Sequence, residues 1–226
     1  MISELRDSTA HVFVDSIDAP ALNEIDAHHL LRVLRVKPSD AVTISDGKGK
    51  WYSGILNADA TIEATSEVFT TAAQSWPLTV AFSLVKGDRP EWTVQKLTEI
   101  GIDEIVVLAP TVRSVVRWDQ GRSNKNIERL RRVAREAAMQ SRRTWLPNVL
   151  GVIEMSTIAN LFIADPTGDC VDASHRSIAV GPEGGFAPHE TESCSGLVSL
   201  GETILRAETA AVSAAVLMSD YRRKQK

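Results

Sequence analysis

The first 70 residues, approximately, alternate apolar and polar positions in the way that is typical of β-strands. The segments HVFVDS and AVTIS both alternate, and AVTIS continues through residues 46–50 (DGKGK) into WYSGIL. Two strand-like segments on either side of a glycine-containing turn predict a β-hairpin. The DGKGK segment lacks the spacing of a phosphate-binding P-loop and lies between strands, so we interpret it as a turn.

The pattern changes after residues 65–77 (TSEVFTTAAQSWP), a stretch rich in small polar residues that we interpret as a linker. Buried-strand segments then follow: LTVAFSLV, IDEIVVLAP, LFIAD, SIAVG and GLVSLG. Helices are predicted between them over residues 91–100, 126–143 and 188–194, and from residue 206 to the C-terminus. Because parallel strands need crossover connections, this alternation predicts an α/β domain with a mainly parallel sheet.

The composition is that of a globular protein with one large domain or two smaller ones: 226 residues, 43% hydrophobic and 24% charged. The chain does not start with an apolar run behind a basic stretch, and no run of about 18 apolar residues occurs, so we expect neither a secretory signal nor a membrane span. Cys170 and Cys194 lie far apart and match no metal-ligand spacing. We therefore expect a soluble cytoplasmic protein with reduced thiols and no metal.

Positive charge is concentrated between Arg113 and Arg143. This window holds nine Arg and one Lys against three acidic residues, a net charge of +7, whereas the whole chain carries −4. A local basic patch attracts phosphate even on an acidic protein, because salt confines its field to about 8–10 Å. The alternative is a solvated helix face with internal ion pairs such as Glu128–Arg132 and Arg132–Glu136. Composition leaves both interpretations open.

Two glycine-containing segments carry the strongest indication of chemistry. Residues 180–186 (VGPEGGF) directly follow the apolar segment SIAV, and the carboxyl ends of strands are where open α/β sheets bind ligands. Three glycines let such a loop approach a ligand closely, although a plain tight turn has the same residues. Residues 200–210 (LGETILRAETA) lead from a strand-terminal glycine into an alanine-rich helix. Neither segment is a dinucleotide-binding or P-loop motif.

Five segments in order along the chain resemble the RsmE family, the ribosomal small-subunit RNA uridine-N3 methyltransferases of the SPOUT class. GPEGGF and LGETILRAETA resemble the family's signature. HHLLRVLR followed by DGKGKWYSG resembles its N-terminal barrel, KGDRPEWTVQKLTEIGID its opening strand and helix, and REAAMQSRRTWLP its Gln-Ser-x-Arg helix end. The match covers nearly the whole chain.

The resemblance implies an α/β protein in two domains. Residues 1–72 would form a small PUA-like β-barrel that binds RNA, and residues 76–226 a SPOUT methyltransferase domain with a parallel sheet and a C-terminal trefoil knot. It also implies a homodimer in which the helix after Arg206 packs against the partner copy. The substrate would be 16S ribosomal RNA within the small ribosomal subunit, without any membrane.

The resemblance also implies a cofactor and the residues that hold it. The cofactor would be S-adenosylmethionine, bent among three loops at the knot. The residues that would bind it are Ala164, Asp165, Pro166, Val180, Gly181, Pro182, Glu183, Gly184, Gly185, Leu200, Gly201, Ile204, Leu205 and Arg206.

RNA would be bound by residues of both domains, namely Arg32, Arg35, Arg131, Arg135, Gln140 and Arg142. One departure from the family is visible. Its members commonly have an arginine just before the first strand, where this chain has Ala10 and His11. If that arginine contacts RNA, His11 or Arg6 must take its place here.

Methylation of uracil at N3 makes its own demands. This nitrogen carries a proton and becomes nucleophilic only as the proton leaves, so an enzyme must align N3 with the methyl group and stabilise negative charge on the uracil carbonyls. Arginine suits the second task, and Arg206 is the first candidate, followed by Arg113 or Arg142. Glu183 is either the base or a residue that orients its own loop.

Two other functions stay open on the sequence. Another SPOUT enzyme, for example a ribose 2′-O-methyltransferase, would share the cofactor loops, but the N-terminal barrel and HHLLRVLR favour the uridine-N3 enzyme. A non-enzymatic RNA-binding assembly factor would use the knot only as a scaffold, and the intact glycine loops count against it.

Overall fold

Two compact units make up the structure, a computed structural model that describes residues 3–22, 24–33, 35–59 and 61–225. The first unit comprises Met1–Ser75 together with Ala138–Leu146, and the second comprises Trp76–Ala137 together with Pro147–Lys226. The chain therefore leaves the first unit once and returns to it for one short segment. None of the helices in the described ranges has the length and apolar character needed to cross a bilayer.

A five-stranded sheet forms the centre of the first unit. Its strands are β1 (Ala10–Phe13), β2 (Ala41–Ser45), β3 (Lys50–Leu56), β4 (Ile62–Ala64) and β5 (Phe69–Thr70), and its helices are α1 (Ser3–Asp7) and α2 (Glu24–His28), with a π-helical turn over His29–Val33. Strands β2 and β3 pair antiparallel across the DGKGK turn, which confirms the predicted hairpin, and β1 pairs parallel with β2. The segment HHLLRVLR, over residues 28–35, contains the end of α2 and the π-helical turn, and residue 34 within it lies outside the described residues.

The returning segment Ala138–Leu146 contributes to the core of the first unit. Ala138 and Met139 are buried together with Val12 and Ile44 of the central strands. At the far end of the segment, the Trp145 indole Nε1 donates a hydrogen bond of 2.9 Å to the Thr71 carbonyl. Residues distant in sequence therefore complete this small core.

His11 belongs to this core, so its ring is not accessible for the RNA contact that it would make if it replaced the family's arginine. Its side chain is 1% exposed. The Nε2 atom lies 2.9 Å from the Arg143 carbonyl, and Nδ1 lies 2.9 Å from the Thr43 hydroxyl. Because a carbonyl only accepts, Nε2 carries the hydrogen and Nδ1 accepts from Thr43. Burial lowers the pKa of His11 to about 4, so the ring is neutral at pH 7. Arg6, the other expected substitute, is exposed on α1 and pairs with Asp7.

A six-stranded sheet organises the second unit, in the order β11-β9-β10-β6-β7-β8. All neighbouring strands pair parallel, which confirms the predicted parallel α/β architecture. The strands are β6 (Thr79–Phe82), β7 (Glu104–Leu108), β8 (Asn148–Ile153), β9 (Phe162–Cys170), β10 (Ser177–Val180) and β11 (Gly196–Ser199). The helices are α3 (Arg89–Ile100), α4 (Gln120–Gln140), α5 (Pro188–Thr191) and α6 (Ala207–Lys224), and a 3₁₀ turn spans Met155–Thr157.

Alternate side chains of the central strands divide between two layers, as the twofold period of a strand requires. Val80 and Ile178 belong to the main core, which also contains the buried faces of α3, α4 and α6. Ala81 and Ala179, next to them in sequence, point to the other side, where residues around the 3₁₀ turn cover them. The alanine-rich face of α6 is buried in the main core.

Among the elements that differ from the sequence prediction are β5, β8, β9 and α4. The predicted linker contains β5, which pairs with β3. Strand β8 was not predicted, because its short NVLGVI segment is interrupted by a glycine. Strand β9 continues beyond LFIAD to Cys170. Helix α4 begins at Gln120 and ends at Gln140, short of the predicted residue 143, because Arg142 adopts a φ of 59°, which cannot continue a right-handed helix.

Candidate functional site

A cavity of about 510 Å³ opens where strands β9, β10 and β11 lead into their following segments. Its size is within the range of small-molecule sites in proteins, about 300–1,000 Å³. All fourteen residues that the sequence predicted to bind a cofactor line this one cavity. The other lining residues are Ile163, Phe186, Thr191, Thr203, Ala207 and Ala210. Tertiary structure therefore gathers three segments that are separated along the chain.

The first wall is a bulge within β9, not the loop that was expected. Ile163 pairs with Leu197, and the next paired residue of β9 is Asp169, which pairs with Val198. Residues 164–168 are consequently left out of the ladder with β11, and the first three of them line the cavity. Gly168 permits this bulge because a Cβ there would lie 2.4 Å from the Leu197 carbonyl carbon.

Asp165 supplies a negative charge to this wall. The Thr167 hydroxyl and backbone N–H both donate to Asp165 Oδ1, at 2.6 and 2.9 Å. These hydrogen bonds, the one from the hydroxyl being the larger effect, hold the pKa of Asp165 below its ordinary value. The carboxylate is therefore ionised at neutral pH, and Oδ2 has no hydrogen bond from another described residue.

The second wall is the loop of residues 180–186 (VGPEGGF), hereafter the GPEGG loop. The Gly185 N–H donates to the Pro182 carbonyl at 2.8 Å, which closes a tight turn. Gly185 has a φ of 69°, in the left-handed region that favours glycine. Phe186 folds back over the start of the loop, where a Cβ on Gly181 would lie only 3.0 Å from its ring. The loop thus presents backbone, with little side chain, to the cavity.

The third wall comprises residues 200–206 and the start of α6. Arg206 is the N-cap residue of α6, and its exposed guanidinium has no hydrogen bond or ion pair with another described residue. Ile204 is 89% exposed at the rim. The side chain predicted to stabilise charge is therefore free to meet a substrate.

Arg113 lies beside the cavity but does not line it. Its Nη1 donates to the Gly184 carbonyl at 2.8 Å.

Glu190, which the sequence analysis missed, holds the segment that carries Arg113. Its Oε1 accepts from the Val112 N–H and its Oε2 from the Ala187 N–H, at 2.8 and 2.7 Å. The basic segment is thereby attached to the GPEGG loop. Pro188 followed by Glu190 at the start of a helix was the available signal, because Glu at the third helical position can cap.

Glu183 pairs with an arginine that the sequence analysis also missed. Its Oε1 lies 3.7 Å from Nη1 of Arg89, the first residue of α3. Arg89 Nε lies 3.7 Å from Oε1 of Glu208, in the first turn of α6. One guanidinium thus faces carboxylates from two walls of the cavity. No local pattern identifies such a pairing, because the three residues come from separate elements.

The residues predicted to bind RNA fall in both units. Arg32, Arg35 and Gln140 are exposed in the first unit, and Arg131 is exposed on α4 in the second, where it pairs with Glu128. The partly exposed Arg135 is also on α4. Whether these side chains contact RNA stays a prediction.

Arg142 has a structural part in the first unit. The half-buried side chain donates from Nη1 to the Met139 carbonyl at 3.0 Å and from Nη2 to the Ser8 carbonyl at 2.9 Å. These contacts fasten the returning segment beside α1. A substitution of Arg142 would therefore perturb the fold as well as any contact with RNA.

The cavity combines backbone amides, apolar side chains, the carboxylates of Asp165 and Glu183, and the guanidinium of Arg206. Such a set can bind a ligand that has apolar, hydrogen-bonding and cationic parts, and can stabilise negative charge on a second molecule at the rim. Within the described ranges, no group of three or more His, Cys, Asp or Glu side chains has metal-binding geometry.

Comparison with known proteins assigns the fold and cavity to a class. The family described as RNA methyltransferase domain matches residues 72–219, and the family described as RNA methyltransferase PUA domain matches residues 22–68. A methyltransferase from Legionella pneumophila, solved with bound S-adenosylmethionine, has the same fold: the TM-score is 0.80 at 22% identity, over 93% of this chain and 96% of that one. The class is that of the RNA methyltransferases with a PUA-like N-terminal domain.

Closer relatives define the family. A ribosomal RNA small subunit methyltransferase E from Mycobacterium bovis is 30% identical over 231 residues, covering 89% of this chain and 88% of the relative. The methyltransferase E of Neisseria gonorrhoeae bound to S-adenosyl methionine is 26% identical with a TM-score of 0.75, over 93% of this chain and 97% of that one. The chain belongs to the ribosomal RNA small subunit methyltransferase E family. The resemblance seen in the sequence and the predicted SPOUT and PUA-like fold class are thus confirmed.

Proposed function

We propose that the protein transfers a methyl group from S-adenosylmethionine to N3 of a uridine in 16S ribosomal RNA. The observation that carries this proposal is the cavity at the carboxyl edge of the parallel sheet, in a chain of the methyltransferase E family. All the residues that the family resemblance implied for cofactor binding line it.

The lining of the cavity fits the cofactor chemically. Ile163, Val180 and Leu205 supply apolar surface for the adenine ring, and the backbone of the GPEGG loop supplies hydrogen-bonding groups for its polar edge. The ionised Asp165 can accept from hydroxyl or ammonium groups. When bound, S-adenosylmethionine supplies an electrophilic methyl group on a sulfonium. The protein's task is to orient it and to exclude water.

Activation of the acceptor falls to the residues at the rim. Arg206 has a free guanidinium that can stabilise negative charge on a uracil carbonyl as N3 loses its proton. Arg113 can do the same with the nitrogens that do not bond to Gly184. Glu183 is held towards Arg89, which favours its role in orienting the loop over a role as the base.

Binding of RNA is assigned to the exposed basic side chains. Arg32 and Arg35 in the first unit, and Arg131 and Arg135 on α4, can contact phosphates, which provide most of the affinity of proteins for nucleic acids. We also propose a homodimer, because Ile204 is an apolar side chain fully open to solvent at the rim of the cavity. The substrate is the RNA in the small ribosomal subunit.

One experiment tests the proposal. Purified protein is incubated with labelled S-adenosylmethionine and either free 16S RNA or small subunits from cells that lack the enzyme, and the modified nucleoside is identified by mass spectrometry. We expect N3-methyluridine at one position. A ribose 2′-O-methyl product would show a different SPOUT activity, and cofactor and RNA binding without transfer would show an assembly factor.

A further inference from the structure

The ion pairs behind the cavity give a role to a residue that does not line it. We propose that Arg89 is a positioning residue: by pairing with Glu183 and Glu208, it holds two walls of the cavity at a fixed separation. One of these walls carries Arg206, the residue to which we assign charge stabilisation. The inference therefore rests on the proposed function and extends it to the support of the site.

The geometry of Arg89 suits a bridge. The residue begins α3, directly after the segment that leaves the carboxyl end of β6, and β6 pairs with β10, which leads into the GPEGG loop. Its Nη1 is 3.7 Å from Glu183 Oε1, whereas its Nε is 3.7 Å from Glu208 Oε1. Different nitrogens of one planar group thus face two carboxylates. A lysine ammonium, a single point charge on a flexible stem, cannot fix both directions.

Glu208 gains its charge partner from this arrangement. The side chain is 15% exposed, and its Oε2 atom is buried without a hydrogen-bond partner among the described residues. Burial of a carboxylate carries a cost, which Arg89, 41% exposed and 3.7 Å away, offsets only in part. Stability alone does not explain an ionisable residue here, because a neutral side chain of the same size would avoid the cost. An ionisable residue is explained if Glu208, through Arg89 and Glu183, attaches the start of α6 to the GPEGG loop.

The fold itself does not depend on Arg89, because α6 is held at its other end. Arg222 pairs with Asp103 and donates to the Gly101 carbonyl at 2.7 Å, so the ends of α3 and α6 are joined there. The Arg89 pairs are partly exposed and longer than direct hydrogen bonds, and such pairs contribute little to stability. Loss of Arg89 should therefore loosen the cavity and leave the protein folded.

The test compares Arg89→Ala, Arg89→Lys and Glu208→Gln with Lys96→Ala. Lys96→Ala is a matched control, because it removes one positive charge from the same helix, two turns after Arg89, and among the described residues Lys96 forms an ion pair only with Glu99. Three quantities are measured: the thermal midpoint, the Kd for S-adenosylmethionine by calorimetry, and the single-turnover methylation rate at saturating cofactor and RNA.

We expect Arg89→Ala to methylate about 10- to 100-fold more slowly than wild type, the range that a displacement of about 1 Å can cause. The Kd should rise several-fold, since both walls line the cavity, and the thermal midpoint should stay near that of Lys96→Ala. Arg89→Lys should recover part of the rate. The double variant Arg89→Ala/Glu208→Gln should be no slower than the slower single variant, because each change breaks the same bridge.

A rate and Kd for Arg89→Ala equal to those of Lys96→Ala would overturn the inference, as would losses that multiply in the double variant. If Arg89→Ala does not fold, Arg89→Lys and Glu208→Gln decide the question by the same measurements. If the wild-type protein binds S-adenosylmethionine but transfers no methyl group, the proposed function fails. The Kd for S-adenosylmethionine still tests the bridge in that case. A several-fold rise in the Kd of Arg89→Ala without a rise in that of Lys96→Ala supports the bridge, and an unchanged Kd contradicts it.

Discussion

Arg206 occupies the N-cap position of α6, and its guanidinium has no partner among the described residues, so its substitution tests the chemistry directly. Arg206→Ala removes the charge and the planar fork, whereas Arg206→Lys retains only the charge. Removal of one donor to a developing negative charge typically costs about 10²–10³ in rate, so we expect that loss in single turnover for the alanine variant. The lysine variant should lie between it and wild type.

The control for this prediction is Lys224→Ala, which removes a positive charge from the other end of α6. Its rate should equal that of the wild-type protein. The affinity for S-adenosylmethionine should change little in either Arg206 variant. If Arg206→Ala methylates at the normal rate, Arg206 has a structural role and the charge is stabilised elsewhere.

Titration of the His11 ring makes the free energy of unfolding depend on pH. Its pKa is about 4 in the folded protein and near the ordinary 6.5 in the unfolded chain. Between these values the unfolded chain binds more protons, so the free energy of unfolding falls as the pH falls, by at most about 1.4 kcal/mol per pH unit from this residue. This contribution is fully present above pH 6.5 and is lost as the pH approaches 4.

Urea unfolding of the wild-type protein and of His11→Gln at pH 7, 6 and 5 measures this effect. The Gln amide can still donate to the Arg143 carbonyl, but it does not titrate. The free energy of unfolding of the wild-type protein should therefore decrease, relative to that of His11→Gln, as the pH falls. A difference that is constant over this range would mean that His11 is not buried as a neutral ring.

At the scale of elements, α3 and α6 lie together and are joined at both ends, but the two junctions serve different purposes. Arg222 is almost buried and pairs with Asp103, so its loss removes a positive charge from beside that carboxylate, which keeps its hydrogen bond from the Leu78 N–H, and frees the end of α6. We expect Arg222→Ala to lower the free energy of unfolding by about 3 kcal/mol, the lower part of the range for a broken buried pair. Chemical denaturation measures it.

Arg223→Ala is the matched control, because the neighbouring arginine is exposed and pairs with Asp220 within the same helix. Its effect should be no more than about 1 kcal/mol. Equal losses in the two variants would show that the Arg222 pair adds nothing beyond a surface ion pair. The end of α6 would then be held by contacts other than this ion pair.

At the scale of the whole molecule, binding of RNA should depend on salt through the basic side chains of α4. Each lost phosphate contact reduces the slope of log K against log salt by about 0.7–0.9, so Arg131→Ala/Arg135→Ala should reduce it by up to twice that amount. Cofactor affinity should not change. Arg142 is left intact, because its contacts with the Met139 and Ser8 carbonyls support the fold.

Filter-binding titrations from about 50 to 200 mM salt measure the slope. The double variant Arg223→Ala/Lys224→Ala removes the same charge from the exposed end of α6 and is the control. If both double variants bind RNA with the wild-type slope, the basic face of α4 is only solvated, which is the alternative that the sequence left open.

Much of the fold was predictable because it is local. The alternation in AVTIS and WYSGIL predicted the hairpin, and the strand–helix alternation predicted the parallel sheet. The glycine segments at 180–186 and 200–206 predicted the cavity walls, because strand-terminal glycines lie at the edge where such sheets bind ligands. These features depend on residues within a few positions of one another.

The sequence by itself determined the class of fold, the family and the three segments of the site. Only the tertiary structure decided which distant residues meet: the His11 ring with the Arg143 carbonyl, across 132 residues, the Val112 N–H with the Glu190 carboxylate, across 78, and Arg89 with Glu183 and Glu208. The same applies to the β9 bulge, which exists because β11 lies beside it. Periodicity records which face of an element is buried, whereas a contact between distant residues depends on how the elements pack, and one sequence contains no local signal for that.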